Sequence, residues 1–181
     1  MRKVVLYHLV SLDGVAEEPS NWVFAFDDAA QENLAGIIAK QDAVLLGRKT
    51  YEYWVGYWPT SDMAPFASFI NGTTKHVYSS TLRRLEWANS SLVSTSALDH
   101  VRELKAQDGG DIGVHGSIDL SQALMRAGVV DEVQLVIAPT IAGTGRRLFQ
   151  DRAIGQRMSL VDLARTPSGL VLATYETGTP S

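Results

Sequence analysis

The residues in this chain best suited to holding an anion are Gly47-Arg48-Lys49-Thr50. Arg48 and Lys49 carry charge, Thr50 carries a hydroxyl, and Gly47 lets a ligand come close to the backbone. If a helix begins here, its free amides and its dipole add to the same attraction. The chemistry implied is a phosphate cradle for a nucleotide. An ordinary turn with a solvated Arg-Lys pair suits the same residues, so other stretches must decide between the two. His115-Gly116-Ser117 is a second glycine break of this kind, and Ser79-Ser80-Thr81 places three hydroxyls in a row, which alone suit a solvated turn. Asp13, in Ser11-Leu12-Asp13-Gly14, is either a catalytic and substrate-contacting carboxylate or an Asp that stabilises its own turn. Trp22 and Phe24, in a loop, and Trp54 are rings that can flank a planar ligand. Core packing is the commoner fate for at least one of the loop rings.

These side chains need elements to place them. Val4 to Val10 and Ala43 to Leu46 are apolar runs suited to strands buried on both faces. The second run breaks at Gly47 and is followed by good helix formers with Tyr51 and Trp54 on one stripe, so strand, glycine turn and helix start follow one another. Asp28 to Gln31 has the grammar of an N-cap, with Ala30, Leu34, Ile37 and Ile38 at helical spacing behind it. A short helix is expected from Met63 to Ile70, then a strand from Lys75 to Tyr78 that empties into the three hydroxyls. Leu92 and Val93 suggest a short strand, and Ser96 to Asp99 a capping box ahead of Val101 and Leu104. Ile112 to His115 is a strand, and Ser117 is the expected cap of a helix carrying Leu120, Ala123 and Leu124. Val133 to Ala138 is a strand, followed by the Gly143-Thr-Gly145 loop with Arg146 and Arg147; Leu148 and Phe149 return to the core. Met158 to Ala164 and Leu170 to Tyr175, joined by Thr166-Pro-Ser-Gly169, form an antiparallel hairpin. In open α/β sheets ligands bind at the carboxyl ends of strands, which is where Asp13, Gly47, Ser79 and Gly116 all fall. Neither glycine unit is the GxGxxG fingerprint, which disfavours an ordinary Rossmann domain.

The 181 residues are 45% hydrophobic and 20% charged, with net charge −4 and no cysteine. One domain over residues 1–176 with a short tail at 177–181 is expected. The charge, without basic clusters, argues against nucleic acid as a partner. No apolar run reaches the length needed to span a membrane, and the amino-terminal run reads as a strand rather than a signal, so a cytoplasmic location is expected. The missing cysteine excludes thiolate zinc sites and cysteine nucleophiles; no metal site is expected.

Three blocks together carry a family likeness: Leu46-Gly47-Arg48-Lys49-Thr50 with Tyr51 and Glu52, the Ser11 to Gly14 turn, and the stretch from His115-Gly116-Ser117 through Val130-Asp131-Glu132 and Ala138-Pro139 to Gly143 through Phe149. On them the sequence resembles the dihydrofolate-reductase-like superfamily, and within it the C-terminal reductase domain of the bifunctional riboflavin-biosynthesis deaminase-reductase, as a stand-alone relative. The resemblance implies a three-layer α/β/α fold with a mostly parallel central sheet and an antiparallel C-terminal hairpin. It implies NADPH as cofactor, with Leu46 to Thr50 at the pyrophosphate, Ser79, Ser80 and Thr81 at the adenosine ribose and its 2′-phosphate, and His115, Gly116, Ser117, Ile118 and Leu120 beneath the pyrophosphate and nicotinamide. His115 replaces a glycine of the family pattern and is either a structural hydrogen-bonder or a catalytic group. The implied activity is reduction of a pterin- or pyrimidine-like heterocycle, the nearest named reaction being that of 5-amino-6-(5-phosphoribosylamino)uracil. Dihydrofolate reduction and a nucleotide-binding relative without efficient turnover are the alternatives. Asp27, Asp28 and Glu32 do not align with the acid of dihydrofolate reductases, so Asp13 is the better carboxylate, with water as a possible proton carrier, and Trp22, Phe24 and Trp54 would flank the substrate. A homodimer through the sheet edge and the terminal hairpin is expected by the same resemblance.

Overall fold

In the computed structural model, which describes residues 1–149 and 155–178, the apolar runs pair into one eight-stranded sheet. The strands are β1 (Val4–Val10), β2 (Gln41–Gly47), β3 (Thr74–Tyr78), β4 (Ser90–Val93), β5 (Asp111–His115), β6 (Glu132–Ile137), β7 (Met158–Arg165) and β8 (Val171–Thr177). Their order is β4-β3-β2-β5-β1-β6-β8-β7. The first six are parallel, and the two C-terminal strands join antiparallel, β8 against β6 and β7 against β8. The helices are α1 (Asp28–Ile38), α2 (Arg48–Trp54), α3 (Phe66–Gly72), α4 (Ala97–Ala106) and α5 (Ile118–Arg126).

The period of two along each strand sorts the core into two layers. Val5, Tyr7, Val44 and Leu46 pack with Ala30, Leu34 and Ile37 of α1 and Phe66 and Ile70 of α3. Val4, Leu6, Leu45, Ile112 and Val114 pack with Val101 and Leu104 of α4 and Leu120 and Leu124 of α5. Both faces of the central strand β2 are thus covered, which is why Ala43 to Leu46 is continuously apolar. The result is the dihydrofolate-reductase-like α/β/α arrangement. No helix among the described residues is long and apolar enough to cross a membrane.

Several boundaries differ from the sequence reading. Asp27, not Asp28, caps α1: its carboxylate accepts from Ala30 N at 3.0 Å and also from Ser168 N at 2.8 Å, in the turn between β7 and β8. The third helix begins at Phe66 rather than Met63, because Pro65 disfavours helical geometry at the residue before it. Neither Ser96 nor Ser117 caps its helix through the side chain. Phe149 is exposed at 42% while Leu148 is buried, so only one of the pair returns to the core. Thr177 ends β8 instead of beginning a tail; residues 179–181 lie outside the described residues. Lys75 is fully buried: its ammonium donates to Ile70 O at 2.7 Å and Thr73 O at 2.9 Å, capping the end of α3, and lies 4.7 Å from the Trp87 ring.

Candidate functional site

The carboxyl ends of β3, β2, β5 and β1 lie side by side, and each carries one of the segments singled out in the sequence. Gly47 is paired with Tyr78 across β2 and β3, so Ser79, Ser80 and Thr81 emerge next to the Gly47 turn. Tyr7 is paired with His115 across β1 and β5. Between β2 and β5 the two glycine units meet directly. The amide of Gly47 donates to Ser117 Oγ at 3.0 Å, and that hydroxyl donates to Thr50 Oγ1 at 2.9 Å. Thr50 in turn lies 3.4 Å from Gly116 O. Ser117 is therefore a tie between the starts of α2 and α5 rather than a cap of α5.

No side chain caps either helix, so the first-turn amides of both are left without a side-chain acceptor. Gly116 has φ +68, the left-handed region, and a Cβ on it would stand 2.8 Å from Trp54 Cζ2. Glycine is required there on both counts. Arg48 is exposed and lies 3.2 Å from Glu52 one turn on, a surface pair that a phosphate can displace at little cost. Lys49 is exposed. Ser79 Oγ accepts from the amides of Thr81 at 3.1 Å and Leu82 at 3.0 Å, so its hydroxyl is taken up by its own turn, while Ser80 and Thr81 face solvent. Leu46, Ile118 and Leu120 are buried core residues, so a ligand at the junction would meet their backbone rather than their side chains.

His115 is 2% exposed, donates from Nε2 to Gln41 Oε1 at 2.8 Å, and is packed by the rings of Tyr7, Phe66 and Phe69. Burial, with His8 nearby, holds its imidazole down at about 3, so it is neutral at physiological pH. This is the environment of a structural hydrogen-bonder. Gly113 leaves the room in which Gln41 and His115 meet.

Asp13 is held from both sides. Its carboxylate accepts the Ser11 hydroxyl at 2.6 Å and the amides of Ala142 and Gly143, both at 2.9 Å. Arg147 Nε donates to the Asp13 carbonyl at 2.8 Å. The Ser11 hydroxyl, then the Ala142 amide, hold the carboxyl at about 2. Asp13 is thus ionised at neutral pH and pins the turn after β1 to the loop after β6; it is not a proton source. Asp27 is in a similar position: burial pushes its carboxyl up, but the hydrogen bonds from Ser168 and Ala30 outweigh this and leave it at about 2.

That pinning encloses a cleft of about 360 Å³ beyond the ends of β1 and β6, walled by Glu17, Glu18, Asn21, Trp22, Phe24 and the 140–145 loop. Trp22 is buried and fixed by its indole N–H to Glu17 O at 2.9 Å; Phe24 is 82% exposed at the rim. Trp22 and Phe24 are brought together here. Trp54 is elsewhere, over Gly116, edge-on to Phe66 and Trp58. Glu17, Glu18 and Asn21 were not singled out in the sequence, where an acidic pair in a loop reads as solvated surface.

The profile of the RibD C-terminal domain matches residues 2–172. The chain belongs to that family. Its members include the reductase half of riboflavin-biosynthesis proteins. The chain is 26% identical to the uncharacterized protein YyaP of Bacillus subtilis over 181 residues, 96% of this chain and 94% of that one. Its fold is shared with a putative riboflavin biosynthesis protein from Shewanella sp. PV-4, at TM-score 0.79 and 16% identity, over 97% of this chain and 99% of that one. It is also shared with the diaminohydroxyphosphoribosylaminopyrimidine deaminase/5-amino-6-(5-phosphoribosylamino)uracil reductase of Thermotoga maritima, at TM-score 0.67 and 15% identity, over 98% of this chain and 57% of that one.

Proposed function

We propose that the protein is an NADPH-dependent reductase acting on a pterin- or pyrimidine-like compound. The observation that carries this reading is the Gly47–Ser117–Thr50 chain of hydrogen bonds, which draws two uncapped helix starts to one point at the sheet's carboxyl edge. A dinucleotide fits the residues present. The open amides at Arg48 to Thr50 and Ile118 to Leu120 would hold the pyrophosphate, Gly116 would pass beneath it without a Cβ, and Arg48, Lys49, Ser80 and Thr81 would meet the 2′-phosphate end.

When bound, reduced nicotinamide supplies a hydride to an electron-poor carbon, of a C=N bond or a masked carbonyl, and the neighbouring atom takes a proton. The chain's own part is positioning. Ionised Asp13 fixes the cleft by holding the Ser11 turn against Ala142 and Gly143, and Trp22 and Phe24 supply faces for a planar ring. With Asp13 and Asp27 both ionised and hydrogen-bonded, water in the cleft delivers the proton. The nearest named reaction is that of the Thermotoga maritima protein, the reduction of 5-amino-6-(5-phosphoribosylamino)uracil. The test is loss of reduced-nicotinamide absorbance with that compound, with its unphosphorylated riboside and with dihydrofolate. Oxidation with any of them supports a reductase.

A second reading, a nucleotide binder without efficient turnover, draws on the same observation that neither Asp13 nor Asp27 is free to give a proton. Tight NADPH binding with no oxidation in any of the three assays would select it. The assembly we propose is a homodimer: edge strand β7 presents Leu160, Val161 and Leu163 at 50% exposure or more, an apolar edge that a second copy would cover. Light scattering giving a monomer mass would overturn that assembly.

A further inference from the structure

The cleft beside Trp22 has a charge pattern that selects among substrates, an inference that rests on the reductase reading. Its wall carries two carboxylates, and both are positioned. Glu17 Oε2 accepts the Arg146 amide at 3.1 Å, and Glu18 Oε2 accepts from Asn21 Nδ2 at 2.9 Å. No Lys, Arg or His lines the cleft among the described residues. The two arginines on the adjoining loop are engaged elsewhere: Arg146 pairs with Asp119 on α5, and Arg147 binds the Asp13 carbonyl at 2.8 Å with its terminal nitrogen 3.8 Å from the Asp13 carboxylate. At the rim, Phe24 at 82% and Ile141 at 74% exposure leave apolar faces uncovered. A planar ring would cover them.

We propose that this cleft binds an aminated planar heterocycle, neutral or cationic, that carries no phosphate. Ring amines would donate to carboxylate oxygens already in place, which strengthens such hydrogen bonds. A phosphate dianion in the same space would face Glu17 and Glu18 with no Lys, Arg or His among the described residues of the lining, and like charges at close range reject a ligand as effectively as a clash. The named reaction of the family is then a guide to the ring but not to its substituent.

The probes are 5-amino-6-(ribosylamino)uracil and its 5′-phosphate, which share one ring and differ only in charge. Each is titrated into the full chain, with and without saturating NADPH, by calorimetry. The expected result is at least tenfold tighter binding of the unphosphorylated compound, a gap that narrows with added salt and closes or reverses in Glu18→Lys, while Glu18→Gln weakens the preference without changing NADPH affinity. Equal or tighter binding of the phosphate, a gap indifferent to both Glu18 substitutions, or binding of neither compound would overturn the proposal. A separate NADPH titration keeps the two readings apart: if NADPH binds and the phosphate is preferred, only the charge argument fails, whereas absence of NADPH binding removes the reductase reading and leaves the probe preference measurable on the chain alone.

Discussion

Acidifying the protein from about pH 7.5 to about pH 5 should remove about 4 kcal/mol of folding stability through two buried histidines. His8 sits against Ser121 Oγ at 2.7 Å, and burial lowers its imidazole from 6.5 to about 4. His115, against Gln41, is lowered from 6.5 to about 3, by burial first and His8 second. In the unfolded chain each ring takes up a proton as pH falls through about 6.5, whereas in the folded chain each stays neutral until well below pH 5. The unfolded state therefore binds more protons across this window, and stability falls with pH. At about pH 5 the unfolded ring is about 1.5 pH units below its own midpoint, and at 1.36 kcal/mol per unit each ring contributes a loss of about 2 kcal/mol. Half-buried His76, lowered to about 4 by burial, then by His100 and Arg2, adds a smaller share. Asp13 and Asp27, both near 2, lose their contribution only below about pH 4, outside the window. Urea unfolding followed by tryptophan fluorescence at the two pH values measures the loss. His8→Gln and His115→Gln should each remove about half of it. A flat wild-type profile, or a loss unchanged in both variants, would refute the burial argument.

Ser117→Ala should lower stability by about 1–3 kcal/mol, because the Gly47 amide loses its acceptor and Thr50 its partner, and it should weaken NADPH binding as the two helix starts separate; denaturation and calorimetry read the two effects. Gly116→Ala should cost about 2–5 kcal/mol, combining a left-handed backbone at φ +68 with a Cβ 2.8 Å from the Trp54 ring, measured by the same denaturation. Asp13→Asn should reduce turnover with NADPH affinity nearly intact, since the loops around the cleft loosen while the Gly47–Ser117 junction stays; loss of both together would point to a folding defect instead.

What was legible in the sequence was mostly local. Ala43 to Leu46 is apolar on every residue, and Val4 to Val10 on all but His8, because helices cover both faces of the strands, and the break at Gly47 followed by Arg48 marks a strand-to-helix turn without any tertiary knowledge. The Thr166-Pro-Ser-Gly169 turn likewise announces the hairpin of β7 and β8. The details that were not legible depend on partners far along the chain. The Asp13 carboxylate is engaged by amides about 130 positions away, and the Ser117 hydroxyl by Gly47, 70 positions away. Nothing near Ser117 in sequence distinguishes a cap from a tie. Asp27 outcompetes Asp28 as the cap of α1 because it also receives Ser168 from the terminal turn. Trp22 and Phe24 look alike as loop aromatics, yet one is locked by its indole N–H and the other is left at the rim.

The central claim, a nicotinamide dinucleotide held across the ends of β3, β2 and β5, is tested most directly by titrating NADPH into the wild-type chain and Arg48→Ala by calorimetry. The account predicts saturable binding of one NADPH per chain, weakened by about 1.5–3 kcal/mol, or roughly 10- to 150-fold, when the guanidinium is removed. Absence of saturable binding, or the same dissociation constant in both proteins, would contradict it.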